Sequence, residues 1–170
     1  PAEIVAHECL AILTTPLLAP FLAFVRQADD AWAETLLNDL TGRFGWDVPT
    51  VWSVSLNISQ APSVYRLLMR NAAGLKLGEL LRTPVTDRPP LACVPLLLLR
   101  EGDPPRLLPG LEEPIRLGDQ LLLVGSETAH KDLGLTLFNS HTLKFVLTGQ
   151  DFPSGLVWEW LAARRQVRDA

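Results

Sequence analysis

The chain has 170 residues, of which 48% are hydrophobic, and its formal net charge at pH 7 is −4. This length predicts one domain, with two small subdomains as the alternative, and it can bury a core without disulfides. The apolar share excludes a disordered chain, because disorder requires low hydrophobicity and high net charge. The pI near 5.3 argues against a nucleic-acid partner, since no basic excess is present to neutralise phosphates.

The chain has few cysteines and no segment that predicts export or membrane insertion. Cys9 and Cys93 predict free thiols in a reducing compartment. No basic segment follows Pro1, which argues against a signal peptide, and the missing initial Met is compatible with a fragment of a longer protein. Residues 9–25 carry no charge, but the run is shorter than the about 20 residues that span a bilayer, and prolines interrupt it.

The N-terminal part of the chain predicts helices. A short helix is predicted over residues 3–13, and Thr15 and Pro16 are predicted to provide the N-cap and first position of a second one. This second helix is apolar nearly all round, so we expect another surface to cover it. Asp29 and Asp30 begin a third helix, which Gly42 and Gly45 end. Its apolar positions have helical spacing and are Trp32, Leu36, Leu37 and Leu40.

The pattern changes to strands at Thr50. Residues 51–58 alternate as a strand does, and residues 92–100 predict a strand in which Pro95 favours a sheet edge or a bulge. The further predicted strands are 106–108 and 120–124. Short helical segments are predicted at 77–81 and, as helix or irregular structure, at 65–69. A helix is predicted from 127 to about 138, with a helical tail at the C-terminus. The fold class is therefore α+β.

The sequence contains no pattern that indicates catalysis or a metal site. His7, Glu8 and Cys9 are adjacent, so on a helix their side chains point apart and cannot share one ion. Asp29 and Asp30 lack the rest of a calcium loop and favour helix capping instead. Neither a serine nucleophile elbow nor a glycine-rich phosphate loop occurs in the sequence. A dispersed triad stays open in principle, but we predict no enzyme, no catalytic residues and no metal.

Residues 100–125 read REGDPPRLLPGLEEPIRLGDQLLLVG and resemble the TrkA-C domain. That domain is the C-terminal lobe of RCK modules, the regulators of potassium conductance. The family shows an apolar strand ending in Arg, here Arg100, then a Pro, then a GD-x-L-L-x-x-G element. Residues 77–80 (LGEL) resemble the helix start that follows the family's first strand. Gly118 and Asp119 predict a tight turn before a buried strand, which ends at Gly125; these three residues define the turn and strand.

The resemblance implies three segments. Residues 1–46 would be a helix–turn–helix crossover and dimerisation segment. Residues 50–134 would form a TrkA-C-like regulatory lobe with the order β-α-β-β-β-α. Residues 135–170 would be a C-terminal helical extension. The residues expected at the homodimer contact are Leu17, Leu18, Phe21, Leu22 and Val25.

The resemblance also implies a function. The chain would be a cytoplasmic regulatory part of a potassium channel or transporter, placed after a Rossmann-like lobe and coupled to a membrane pore. An ion, a nucleotide or a cyclic dinucleotide would bind at a subunit or lobe interface and bias the dimer geometry and hence a gate. The residues present identify no particular ligand, and no cofactor is predicted.

Two other classes of function remain open at this point. One is a small-molecule-binding enzyme of α+β fold, which a pocket with convergent polar groups of shifted pKa would favour. The other is a structural assembly module without a ligand. A ligand that raises the melting temperature would distinguish the regulatory module from this second alternative.

Overall fold

The structure is a computed structural model that describes residues 15–27, 30–44, 49–70 and 74–150. The predicted helix over 3–13 and the residues His7, Glu8, Cys9 and Asp29 lie outside this described part. The same holds for the C-terminal tail 151–170. What the sequence predicts for these residues stays a prediction.

The described elements are helices and short strands, so the predicted mixed α+β class is confirmed. Two helices come first, α1 (Leu18–Gln27) and α2 (Asp30–Phe44). The elements that follow form a unit over 49–70 and 74–150, here called the lobe. They are β1 (Thr50–Ser55), α3 (Pro62–Arg70), β2 (Leu75–Lys76), α4 (Leu77–Leu80), β3 (Cys93–Leu99), β4 (Arg106–Leu107), β5 (Pro114–Ile115), β6 (Gln120–Gly125), α5 (Glu127–Phe138) and α6 (Ser140–Thr148).

The main sheet is antiparallel, with strand order β1-β6-β3-β4. Strand β6 is central and pairs with β1 on one side and with β3 on the other. Strands β2 and β5 form a separate two-stranded pair. The register between β3 and β6 shifts between Pro95 and Leu97, which places a bulge at the proline predicted to mark an edge or a bulge.

Each face of the sheet packs against helices. Side chains alternate between the faces of a strand, and the face with Trp52, Leu121 and Leu123 packs in one core with helices α3, α5 and α6. The opposite face forms a second core with α1, and its buried members are Leu17, Phe21, Leu96, Leu97, Leu122 and Val124. The chain's own sheet thus covers one side of helix α1, which accounts for part of the 48% hydrophobic share of the chain.

Helices α5 and α6 are the last elements of the described chain. Helix α5 runs from Glu127 to Phe138, and its N-cap is Ser126, whose Oγ accepts the Ala129 N–H at 3.1 Å. Helix α6 buries Leu143 and Val146. The described part of the predicted C-terminal extension therefore packs into the lobe itself.

Two further observations concern the segment that follows the first strand and the lengths of the described helices. The LGEL residues form α4, and α3 and β2 lie between β1 and α4 in the structure. Within the described ranges, no helix has both the length and the apolar character that crossing a membrane requires.

Candidate functional site

The turn before β6 is held by a buried ion pair. Gly118 has a φ of +85°, in the left-handed region that favours glycine. Asp119 next to it is fully buried. Arg100 donates from Nε to Oδ1 of Asp119 at 2.8 Å and from Nη2 to Oδ2 at 2.8 Å, the bidentate geometry of the strongest arginine–carboxylate pairs. The backbone N–H of Arg116 donates to the same Oδ2 at 2.8 Å.

The rest of the Arg100 guanidinium is also engaged. Its Nη2 donates to the Pro114 carbonyl at 2.8 Å, and its Nη1 lies 3.4 Å from Glu113 Oε1 and 3.5 Å from Asp103 Oδ2. Hydrogen bonding to Asp119 raises the pKa of Arg100, so this guanidinium stays charged. Because the donors of the Arg100 guanidinium are used inside the protein, the pair with Asp119 is suited to holding the end of β3 against the turn before β6.

Strand β6 ends at a point of close contact with β3. A Cβ at Gly125 would lie 2.5 Å from the Ala92 carbonyl oxygen and 2.6 Å from Cys93 Cβ. Only glycine fits this approach without displacing backbone. Gly118, Asp119 and Gly125 therefore bound β6 at its two ends.

A cavity of about 480 Å³ lies between helix α2 and the lobe, within the range of volumes that small-molecule sites occupy. Trp32, Leu36 and Leu40 of α2 line one wall at i, i+4 and i+8, which is one face of a helix. Strand β3 and the chain before it form the opposite wall. The lining residues there are Leu91, Cys93, Val94 and Pro95.

The loop over residues 108–112 closes one end of the cavity. Leu108 has a φ of +48°. This left-handed conformation costs a residue other than glycine about 1–2 kcal/mol. Its N–H donates to the Leu96 carbonyl at 3.0 Å, which holds it in place. Leu108 and Leu111 are 38% and 51% exposed, so apolar side chains are open to solvent at the rim.

Helix α4 lies unusually close to this loop. The Gly78 N–H donates to the Leu111 carbonyl at 2.7 Å. A Cβ at Gly78 would lie 2.9 Å from Leu111 Cβ and 3.0 Å from the Leu111 oxygen. The absence of a side chain at residue 78 thus sets the distance between α4 and the loop that bounds the cavity.

The polar groups of the lining differ in whether they have partners. Lys76 Nζ lies 2.6 Å from Glu112 Oε2, and the Lys76 N–H donates to Glu79 Oε2 at 2.9 Å. The Arg82 guanidinium, in contrast, has no hydrogen bond or ion pair with any residue in the described part of the chain. Burial raises the pKa of the Cys93 thiol to about 12, so it stays protonated at neutral pH and is a poor nucleophile.

The residues predicted at the dimer contact have different environments on α1 and just before it. Leu17 and Phe21 are 5% and 7% exposed and pack against the chain's own sheet. Leu18 and Val25 are half-buried, and Leu22 is 36% exposed. Leu22 therefore offers the most accessible surface of the five, and the dimer contact itself stays a prediction.

The cavity is the feature that the sequence did not predict. The helical spacing of Trp32, Leu36 and Leu40 was visible, but not the surface they face. No signal in the sequence marks Arg82 or the conformation of Leu108. Over the described ranges, no group of three or more His, Cys, Asp or Glu side chains is placed to hold a metal ion.

The chain was compared with models of protein families, with curated proteins and with solved structures, and none of the three comparisons finds a match. The resemblance to TrkA-C domains therefore stays a prediction from the residues that carry it.

Proposed function

We propose that the chain is a cytoplasmic, ligand-sensing and homodimeric regulatory module of a potassium channel or a potassium or cation transport protein, similar to the TrkA-C lobe of RCK modules. The resemblance of residues 100–125 and 77–80 supports the family. The bidentate pair between Arg100 and Asp119 supports it further, because it gives the Arg and the GD element of the motif a common structural role.

The observation that carries the sensing role is the position of the cavity. One wall belongs to α2, in the segment expected to act as a crossover, and the other belongs to the lobe. A ligand between two parts of a protein favours the arrangement in which it contacts both, and so shifts the population of conformations. Movement of α1 and α2 relative to the lobe would change the dimer geometry, which in the proposed mechanism biases a gate in the pore.

Cys93 bears on the alternative of an enzyme. Its thiol lies in the cavity lining, and burial raises the pKa of that thiol to about 12. Cysteine nucleophiles work as thiolates with lowered pKa. This direction of shift favours the binding role over covalent catalysis at Cys93.

The experiment is removal of these 170 residues from the gene, in the cell that makes the protein, followed by measurement of potassium uptake. Uptake should stop adjusting to the external potassium concentration. Uptake that adjusts as before would contradict the proposed function. Two further strains would carry Leu22→Glu, at the expected dimer contact, and Ala23→Glu, at its exposed neighbour; only the first should lose regulation.

A further inference from the structure

Arg82 differs from Arg88 and Arg100, the other arginines of the described chain that are not exposed. Arg100 pairs with Asp119. Arg88 donates from Nη1 to the Val146 and Leu147 carbonyls at 3.2 and 3.0 Å. Among the described residues Arg82 has no such partner, so the five N–H donors of its guanidinium are not used within that part of the protein.

The backbone around Arg82 is held in place. Arg82 forms an antiparallel bridge with Pro90. On either side of it, the Leu91 N–H donates to the Leu81 carbonyl at 2.9 Å and the Thr83 N–H donates to the Pro89 carbonyl at 2.8 Å. A cation on a fixed backbone in the lining of a cavity is a suitable anchor for an anionic group, because the backbone needs no reorganisation on binding and only the side chain is ordered.

The acidic residues of the lining do not neutralise Arg82. Glu112 is paired with Lys76 at 2.6 Å. Glu79 uses Oε2 to accept the Lys76 N–H at 2.9 Å, and no ion pair joins it to Arg82. The positive charge of Arg82 therefore has no carboxylate partner in the described chain.

The remainder of the lining is mainly apolar. Trp32, Leu36 and Leu40 form one wall, and Leu108 and Leu111 are exposed at the rim. Exposed apolar side chains at the mouth of a cavity are stabilised when a ligand removes them from water. The positive charge of Arg82 and the apolar walls of the cavity together indicate a ligand that has an anionic group at one end and an apolar body.

We propose that this cavity binds a small organic anion with an apolar body, its anionic group on Arg82 and its body between Leu36 and Leu108. The regulatory meaning of this site rests on the proposed function, but the binding itself does not. The head group can be a carboxylate or a phosphate, since a guanidinium binds either one in bidentate fashion.

The test uses the full chain and four probes of equal chain length: decanoate, decyl phosphate, decylammonium and decanol. Binding is measured by isothermal titration calorimetry and by tryptophan fluorescence, with Trp32→Phe to assign the fluorescence change to the cavity. We expect at least one of the two anions to bind with about tenfold higher affinity than decanol and decylammonium. The tighter anion identifies the head group. Because the chain carries a net charge of −4, a general attraction would favour decylammonium instead.

Three variants test the anchor. Arg82→Gln should weaken binding of the anion about tenfold, and Arg82→Lys, which keeps the charge, should retain more affinity. Arg66→Gln is the matched control, because Arg66 is exposed on α3 and outside the cavity, and it should bind as the unaltered chain does. Equal affinity for all four probes, no saturable binding, or unchanged binding by Arg82→Gln would overturn the proposal. Light scattering on the same samples reports dimerisation separately, so failure of the binding site and failure of the regulatory dimer are distinguishable.

Discussion

The guanidinium of Arg100 and the carboxylate of Asp119 form two parallel hydrogen bonds of 2.8 Å, although 19 residues separate them in the chain. Asp119 is fully buried, and the Arg100 side chain is 8% exposed. The pair joins the end of β3 to the turn that begins β6. Since these are adjacent strands at the centre of the sheet, we expect the pair to determine the stability of the lobe.

Removing the carboxylate should therefore be costly. Asp119→Ala leaves a charged guanidinium without its main partner, and breaking a buried pair in this way costs about 3–5 kcal/mol. Urea unfolding followed by circular dichroism measures the change in free energy. Glu112→Gln is the control, because it breaks the exposed pair with Lys76 and should change the unfolding free energy little. If both variants lowered the unfolding free energy equally, the burial of Asp119 would not account for the stability that the pair provides.

The close approach of α4 to the cavity loop predicts opposite effects at two helical glycines. Gly78→Ala places a Cβ 2.9 Å from Leu111 Cβ, and we expect overpacking to destabilise the chain by about 1–3 kcal/mol. Gly134→Ala in α5 meets nothing within 4 Å, so it should stabilise by up to about 1 kcal/mol through helix propensity. Thermal unfolding of the two variants shows whether each substitution stabilises or destabilises the chain. A stabilising effect of Gly78→Ala would contradict the tight contact.

Helices α3 and α5 are joined by one buried hydroxyl. Ser63 Oγ lies 2.6 Å from the Thr136 carbonyl oxygen and 2.7 Å from that of Leu137, and it donates its one proton between them. Ser63→Ala should cost about 1–2 kcal/mol of unfolding free energy, because a buried hydrogen bond is lost and not replaced by water. Ser59→Ala removes an exposed hydroxyl bonded to Asn57 and serves as the matched control. If both changes cost the same, the Ser63 contact contributes no special stability.

The buried thiol of Cys93 predicts a loss of stability at alkaline pH. Burial raises its pKa from 9.0 to about 12, so between these values the folded chain keeps a proton that the unfolded chain releases. The unfolded state then binds fewer protons, and stability falls as pH rises through this window. At pH 10 the loss should be about 1 kcal/mol.

Comparison with a variant isolates this contribution from other groups that titrate. The unfolding free energies of the unaltered chain and of Cys93→Ala are measured at pH 7 and pH 10. The unaltered chain should lose more stability between the two pH values than Cys93→Ala. An identical pH dependence for both chains would mean that Cys93 is not shielded from water.

Local signals in the sequence predicted where helices begin and where the chain turns. Ser126 follows a glycine and precedes Glu127, and α5 begins there, because a serine N-cap acts within one turn of the helix. Gly118 likewise marks a turn by the conformation that it allows. Residues 65–69 were ambiguous, since a segment this short has no clear period, and the structure places helix α3 there.

Relations between distant elements were outside the reach of these signals. The sequence identified Asp119 as a turn residue, but its partner Arg100 became visible only once β3 and β6 were paired. The cavity depends on the docking of α2 against β3, and the exposed fraction of Leu22 depends on which side of α1 the sheet covers. The Arg100–Asp119 pair, the cavity and the exposure of Leu22 all depend on tertiary packing, which the periodicity of the sequence does not encode.

The central claim of a regulatory dimer is tested most directly by the molar mass of the chain in solution. Size-exclusion chromatography with light scattering, at high micromolar concentration, should give twice the chain mass of 18.7 kDa. Leu22→Glu should reduce the mass to that of one chain, while Ala23→Glu should not. A mass of one chain for the unaltered protein at every concentration would contradict the account.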